Sequence, residues 1–435
     1  MKQLDRRILK FAIPNIISNI TVPLLGFVDM ALMGHLNSPV YIGAISLGTV
    51  IFNFIYWSLG FLRMSTSGLT AQTYGRKDHE QAAKILSRAL FIAIISGFFI
   101  LLFRNIISDV GFNLLDGTDA VKKEAVIYFK IRVFAAPASI ALFAFSGWFL
   151  GMHNARVPMI VSILINVFNI LISVLFVVIL DYKSDGVAIG TVCAQYIGLA
   201  LYIFYLFRKF PNLIKHISLK SITPFNELKN FLSVSGDIFF RTLMVILVFT
   251  WFTSESAGQG NTILAVNSLF REFLMFFSFL MDGFAYSAEP LIGGEIGAGN
   301  RKDIRSIVRR IFKWGIGITA LTTLIYGGLG YQVMSLLTNQ AIILETAKPY
   351  LFYIALIPLA CFASFLWDGV YIGATASRQM LLSIMISTFV IFFPVWYIFK
   401  NSLGNHALWV AMLLFMFSRG IYLWAVSEKH IYKKQ

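Results

Sequence analysis

Apolar runs of membrane-spanning length dominate the chain. A helix needs about 20 mostly apolar residues to cross a bilayer, and such runs occur at 8–33, 41–65, 88–108, 126–151, 157–180 and 186–207. A polar, proline-bearing stretch from Arg208 to Asn226 interrupts the series. Further runs follow at 228–253, 262–288, 307–337, 349–373, 379–399 and 404–427. The pattern predicts an all-α integral membrane protein of about twelve transmembrane helices. It also predicts an organisation: a six-helix lobe at 1–207, a linker at 208–226 and a second six-helix lobe at 227–435. The first run is longer than the apolar core of a signal peptide, holds Pro14 and Pro23 and shows no small-residue cleavage pattern, so it reads as the first spanning helix.

Composition agrees with lipid as the solvent. Hydrophobic residues make up 58% and charged residues 13% of the chain, against about 45–50% and about 25% in soluble domains. The net charge of +15 is no nucleic-acid signature, because the basic residues are scattered through short segments between apolar runs. Their distribution carries topology instead. With the N-terminus in the cytoplasm, alternate loops hold 24 of the 36 Lys and Arg on the cytoplasmic side and 6 outside. By the positive-inside rule this puts both termini in the cytoplasm of a multi-pass protein of the cytoplasmic (inner) membrane. Cys193 and Cys361 stand alone in apolar runs and read as small hydrophobes.

The two halves match at an offset of 222 residues. Tyr128, Gly147, Gly151 and Arg156 fall on Tyr350, Gly369, Gly373 and Arg378, and Gly75 falls on Gly297. Basic turns, Arg76-Lys77-Asp78 and Arg301-Lys302-Asp303, follow in both halves. Six spans is an even number, so both repeats face the same way about an axis along the membrane normal. That arrangement belongs to parallel-repeat transporters, whose substrate site lies between the halves.

Several segments resemble the MATE (multidrug and toxic compound extrusion) family, in particular its bacterial DinF-like branch. They are Pro14 and the stretch Phe27-Val28-Asp29-Met30-Ala31-Leu32-Met33-Gly34, the turn Gly297-Ala298-Gly299-Asn300 after Glu289-Pro290-Leu291, and Asp368-Gly369-Val370-Tyr371-Ile372-Gly373-Ala374-Thr375. The resemblance spans the whole chain and implies two six-helix lobes forming a V, a cargo cavity and cation-coupled antiport.

Asp29 is the first candidate for coupling chemistry. A carboxylate within hydrocarbon is costly, so it is neutral, paired or facing a cavity. Withdrawal from water favours the neutral form, which suits a group that loads and unloads a proton; the plainer reading is an acid snorkelling to the outer surface. At the repeat offset Asp29 falls on Trp251, while Asn166, Asn169, Ser173 and Thr191 fall on Thr388, Ile391, Val395 and Leu413. Polar groups are thus concentrated in the first half. Asn166, Asn169 and Ser173 are three and four residues apart and share a helix face, which is equally compatible with ordinary interhelical hydrogen bonding. The resemblance adds that family members join a first-helix Asp to a fifth-helix Asn and Asp and a sixth-helix Thr. Asp29, Asn169 and Thr191 match that set, and Ser173 stands where some relatives carry the second Asp. Pro14 and Pro23 each remove a backbone donor and favour a kink, so a switch in the first helix is expected when Asp29 is protonated.

Met30, Met33, Phe61 and Met64 lie near this site and would suit greasy, variable cargo. The second half holds Asp237, Arg241, Arg271, Asp282, Glu289 and Asp368. Asp237 and Arg241 have the spacing of an intrahelical ion pair. Asp282 and Asp368 are deeper and read as a structural network with Arg271, or as a second cation site. Alternatives in function are a sodium-coupled exporter, a lipid-linked oligosaccharide flippase, and a membrane-embedded enzyme. The last is disfavoured by the lack of metal-ligand His/Glu spacing, nucleophile-elbow or Walker motifs. The expectation is a non-enzymatic, cofactor-free monomer whose coupling ion is a proton or, failing that, sodium, and whose partners are the bilayer and amphipathic, often cationic drugs.

Overall fold

A computed structural model describes residues 2–34, 38–217 and 225–433; within helices, the side chains of 2, 22–25, 27, 30, 33, 34 and 225–227 lie outside the description. Helix α1 runs from Lys2 to Gly34. The eleven further helices long and apolar enough to cross a membrane, among the described residues, are α2 (Val40–Gly75), α3 (His79–Leu102), α4 (Asp119–Gly151), α5 (Arg156–Ile179), α6 (Ser184–Lys209), α7 (Leu228–Gly258), α8 (Asn261–Gly297), α9 (Arg301–Leu337), α10 (Ala341–Gly373), α11 (Ser377–Leu403) and α12 (Asn405–Tyr432). The protein is an all-α membrane protein of this helix number.

Helix ends depart from the apolar runs for local reasons. Helix α2, with a break at Gly60, continues past residue 65 through Ser65, Thr66, Ser67, Thr70 and Thr73. These residues lower hydropathy yet are all buried, because small side chains allow close helix approach; Thr73 Oγ1 also donates to Thr70 O at 2.8 Å. The run at 88–108 is two helices. Helix α3 starts at the N-cap Asp78, whose carboxylate accepts from Gln81 N at 2.9 Å, and stops at Leu102. A short helix, Arg104–Leu114, follows, and the Arg104 guanidinium donates to the Leu101 carbonyl at 3.1 Å, satisfying a terminal acceptor of α3. Helix α1 runs without interruption through Pro14 and Pro23; the Pro23 side chain lies outside the described residues.

The chain forms two compact units, one of Ile17–Ser233 and one of Met1–Ile16 with Val234–Gln435. Within the first, Trp148, Phe149, Phe145 and Tyr202 centre an aromatic cluster, and Trp148 Nε1 donates to the Ala82 carbonyl at 2.7 Å. Within the second, a polar clamp joins three helices. Asn267 donates to Asn405 Oδ1 at 2.7 Å and to Ser256 Oγ at 2.7 Å, and accepts from Trp409 Nε1 at 2.8 Å.

The 222-residue repeat is carried into three dimensions. A Cβ on Gly147 would collide with the Arg63 carbonyl, and one on Gly369 with the Ala285 carbonyl. A Cβ on Gly151 would lie 2.7 Å from Ser67 O, and one on Gly373 2.6 Å from Glu289 O. Each partner is offset by the same interval as the glycines, so α4 on α2 and α10 on α8 are the same small-residue crossing used twice. The turns repeat too. Lys77 (φ 59°) corresponds to Gly299 (φ 75°), and His153 (φ 59°) to Thr375 (φ 52°). All four end their helix with paired backbone bonds, such as Asp78 N to Thr73 O at 3.0 Å and Asn300 N to Glu295 O at 2.9 Å, the Schellman pattern that requires a left-handed residue.

Candidate coupling site and C-terminal ion triad

In the first unit, α5 and α6 build a hydrogen-bonded chain. Asn169 Nδ2 donates to Thr191 Oγ1 at 3.1 Å, Ser173 Oγ donates to Asn169 Oδ1 at 3.3 Å, and Thr191 Oγ1 donates to Val187 O at 3.0 Å. All three side chains are buried. Gly190 makes the approach possible, because a Cβ there would meet the Ser173 hydroxyl and lie 3.0 Å from its backbone nitrogen. Asn166, one turn before Asn169, is half-buried, and its Nδ2 has no hydrogen-bond partner among the described residues.

Asp29 is half-buried on α1. Its Oδ1 is withdrawn from solvent without a hydrogen-bond partner. Among the described residues no hydrogen bond joins it to Asn169, Ser173 or Thr191. Its electrostatic neighbours are instead Arg132 and Tyr128 on α4. Arg132 Nη1 donates to Tyr128 Oη at 2.6 Å and to Thr49 Oγ1 at 3.3 Å, and its guanidinium lies 4.6 Å from the Phe52 ring centre. The arrangement places a cation, held by an aromatic face and two hydroxyls, in range of the candidate proton carrier. Sequence reasoning passed over Arg132 as one charge within an apolar run. The available signal was the repeat, since Arg132 corresponds to Ile354. Phe61 packs at the edge of the Leu62, Ile85 and Ile140 cluster, and Met64 is half-buried beside it on α2. The Met30 and Met33 side chains lie outside the described residues.

In the second unit the expected Asp237–Arg241 pair does not form. Arg241 does not take up Asp237, four residues away. It reaches α10 and donates to Asp368 Oδ2, while Asp237 Oδ2 accepts from Ser377 Oγ at 2.7 Å. A second guanidinium, Arg419 Nη2 on α12, donates to the same Asp368 oxygen at 2.8 Å. Asp368 and Arg419 are both buried. Arg271 is not part of this triad and donates to Thr253 Oγ1 at 3.2 Å; Asp282 is half-buried on α8. The spacing argument failed because helix packing brings Arg241 onto the buried Asp368 of α10 rather than along its own helix. Arg419 was overlooked for the same reason as Arg132. Its counterpart is Ile197, and those of Arg241 and Asp368 are Asn19 and Ser146, so each half carries a charged site absent from the other.

The family model MatE matches residues 14–175 and again 238–398. The chain belongs to the MATE transporter family. DNA damage-inducible protein F of Escherichia coli (strain K12) is 35% identical to it over 428 residues, covering 98% of this chain and 92% of that protein. A probable multidrug resistance protein NorM of Bacillus cereus (strain ATCC 10987 / NRS 248) is 23% identical, over 92% and 88% of the two chains. A solved structure described as the outward-facing conformation of a multidrug resistance MATE family transporter of the MOP superfamily superposes with a TM-score of 0.89 at 20% identity, covering 99% of this chain and 97% of that one. The MATE chain is thus a multi-pass membrane transporter rather than an enzyme, with small molecules as its cargo.

Proposed function

We propose that this MATE transporter is a proton-driven antiporter that exports amphipathic, often cationic small molecules by alternating access, with Asp29 as the group that loads the proton. The observation that carries the reading is the Asp29 carboxylate itself, half-buried in α1 with one oxygen hidden from solvent and unbonded. A protonated carboxyl there gains a donor, and the partners it would reach are the Tyr128 hydroxyl of α4 and, after movement of α1, the polar face of α5. Release of the proton restores the attraction to Arg132. Cycling between these arrangements is the switch, with Pro14 and Pro23 weakening the helix that has to bend.

Sodium coupling through the second half is the less favoured reading. Two guanidiniums bond Asp368 Oδ2 and leave net positive charge beside its unbonded Oδ1, which repels a sodium ion there. The same triad carries only one net positive charge, which does not suit a diphosphate-bearing oligosaccharide. The proton supply is adequate: each 100 mV contributes about 2.3 kcal/mol per charge, and each pH unit about 1.4 kcal/mol. Its loop charges support both termini on the cytoplasmic side of the cytoplasmic membrane, and a monomer is the working unit of this reading.

The test is reconstitution in vesicles with a fluorescent cationic dye and either a pH or a sodium gradient. Dye movement is expected with the pH gradient and not with sodium, and Asp29→Asn is expected to abolish it while leaving the protein folded. Normal pH-driven efflux by Asp29→Asn refutes the proposal, and sodium-driven efflux moves the coupling site elsewhere.

A further inference from the structure

A cavity of about 630 Å³ opens at one end of the second unit, between α9, α10 and α12. Its inner wall is aromatic: Phe312 and Trp367 pack with ring centres 5.0 Å apart. Trp424, at the mouth, is 66% exposed. Its rim is charged, with Arg305, Arg309 and Glu428. Glu428 is fully engaged, since both of its oxygens accept from Arg305 Nη2, at 2.9 and 2.7 Å. The Arg305 guanidinium also lies 4.7 Å from the Tyr432 ring centre. Arg309, one turn further along α9, is exposed and has no hydrogen bond or ion pair among the described residues. The rim therefore keeps one uncompensated cation above an apolar pocket.

Two further features fit an anionic, partly apolar ligand. Arg301 and Lys302 open α9, where the helix dipole disfavours cations and Asp303 is the acid of the first turn, and Arg305 and Arg309 add like charge on the turns that follow. An anion supplied from outside the chain relieves that repulsion. Depth is the second feature. The 37 residues of α9 span about 55 Å, against about 30 Å of hydrocarbon, so its basic end projects to headgroup level. Tryptophan is enriched at that level, and basic pockets between helices on this side take anionic lipid headgroups.

We infer that this cavity is a binding site for an anionic phospholipid, whose phosphodiester sits on Arg309 and Arg305 and whose glycerol and upper acyl chains lie along Trp424, Phe312 and Trp367. The inference depends on the protein lying in a membrane and not on proton coupling.

The experiment uses the full chain in detergent, with phosphatidylglycerol, phosphatidylcholine or inorganic phosphate added, read by native mass spectrometry and by the thermal unfolding midpoint. Phosphatidylglycerol is expected to bind and raise the midpoint. Arg309→Gln, which removes an exposed and unpaired cation and should fold normally, is expected to bind it about fivefold more weakly. Trp424→Ala is expected to weaken binding of the lipid without affecting salt dependence. Equal binding of phosphatidylcholine, or unchanged binding by Arg309→Gln, overturns the proposal. So does an equal effect of inorganic phosphate, which would mark a site for free anions. Asp29→Asn is expected to keep the lipid effect in full, so a failed coupling mechanism and a failed lipid site give different results.

Discussion

Removing the Asp368 charge should unfold the second unit more readily than almost any other single polar change. Arg241 and Arg419 both donate to Asp368 Oδ2, so their charged groups sit within ~5 Å of each other. At that separation two like charges repel by about 3 kcal/mol for an effective dielectric of ~20. Removing one member of a buried ion network typically costs about 3–5 kcal/mol, because the remaining charge is left uncompensated. Asp368→Asn keeps the shape and removes only the charge, so the expected loss is in that range. The assay is reversible unfolding in mixed micelles, followed by helical circular dichroism. Adding Arg419→Met to Asp368→Asn removes one of the two stranded cations and is expected to recover at least half of the loss. A single variant within about 1 kcal/mol of the parent, or a double variant no better than the single, refutes the triad as an electrostatic structural unit. Loss of a sodium-stimulated transport rate in Asp368→Asn would instead assign the carboxylate to coupling.

Other expectations follow from the repeat and the N-terminus. Gly369→Ala pushes a methyl into the Ala285 carbonyl and is expected to cost about 3 kcal/mol, whereas Gly317→Ala on α9 has nothing within 4 Å and should be neutral or slightly stabilising in the same unfolding assay. Thr375 holds a β-branched side chain at φ 52° where the other half uses His153 at φ 59°; Thr375→Gly is expected to gain up to about 1 kcal/mol, and a loss of stability would show that its side-chain contacts outweigh the strain. Asp5 is held by Arg310 through two bonds of 2.5 Å, chiefly this pairing lowering its carboxyl from 3.8 to about 2. Because the folded-state value is depressed, its contribution is complete above about pH 4 and lost only as the pH falls through 2, so hydrogen-exchange protection at the start of α1, corrected for the intrinsic pH dependence of exchange, should be unchanged between pH 7 and 5 and exceed that of Asp5→Asn.

Hydropathy and spacing along the chain settled the solvent, the helix number and the duplication. Each depends on a property that accumulates residue by residue: apolar length, loop charge, or a shared interval between glycines. The Gly147 and Gly369 crossings were legible for that reason, since only a glycine tolerates a backbone carbonyl so close and the same interval marks both. Ion pairing was not legible. Asp237 and Arg241 have ideal local spacing, yet Arg241 bonds to α10, because its partner depends on which helix faces meet. The same holds for Arg132, which acts electrostatically on Asp29 from a different helix. It holds also for Asn169 and Thr191, which become partners only because Gly190 lets α6 close on α5. The sequence determined which segments enter the membrane; tertiary packing alone decided which charges would face each other there, because partner choice is a property of surfaces brought together rather than of positions along a chain.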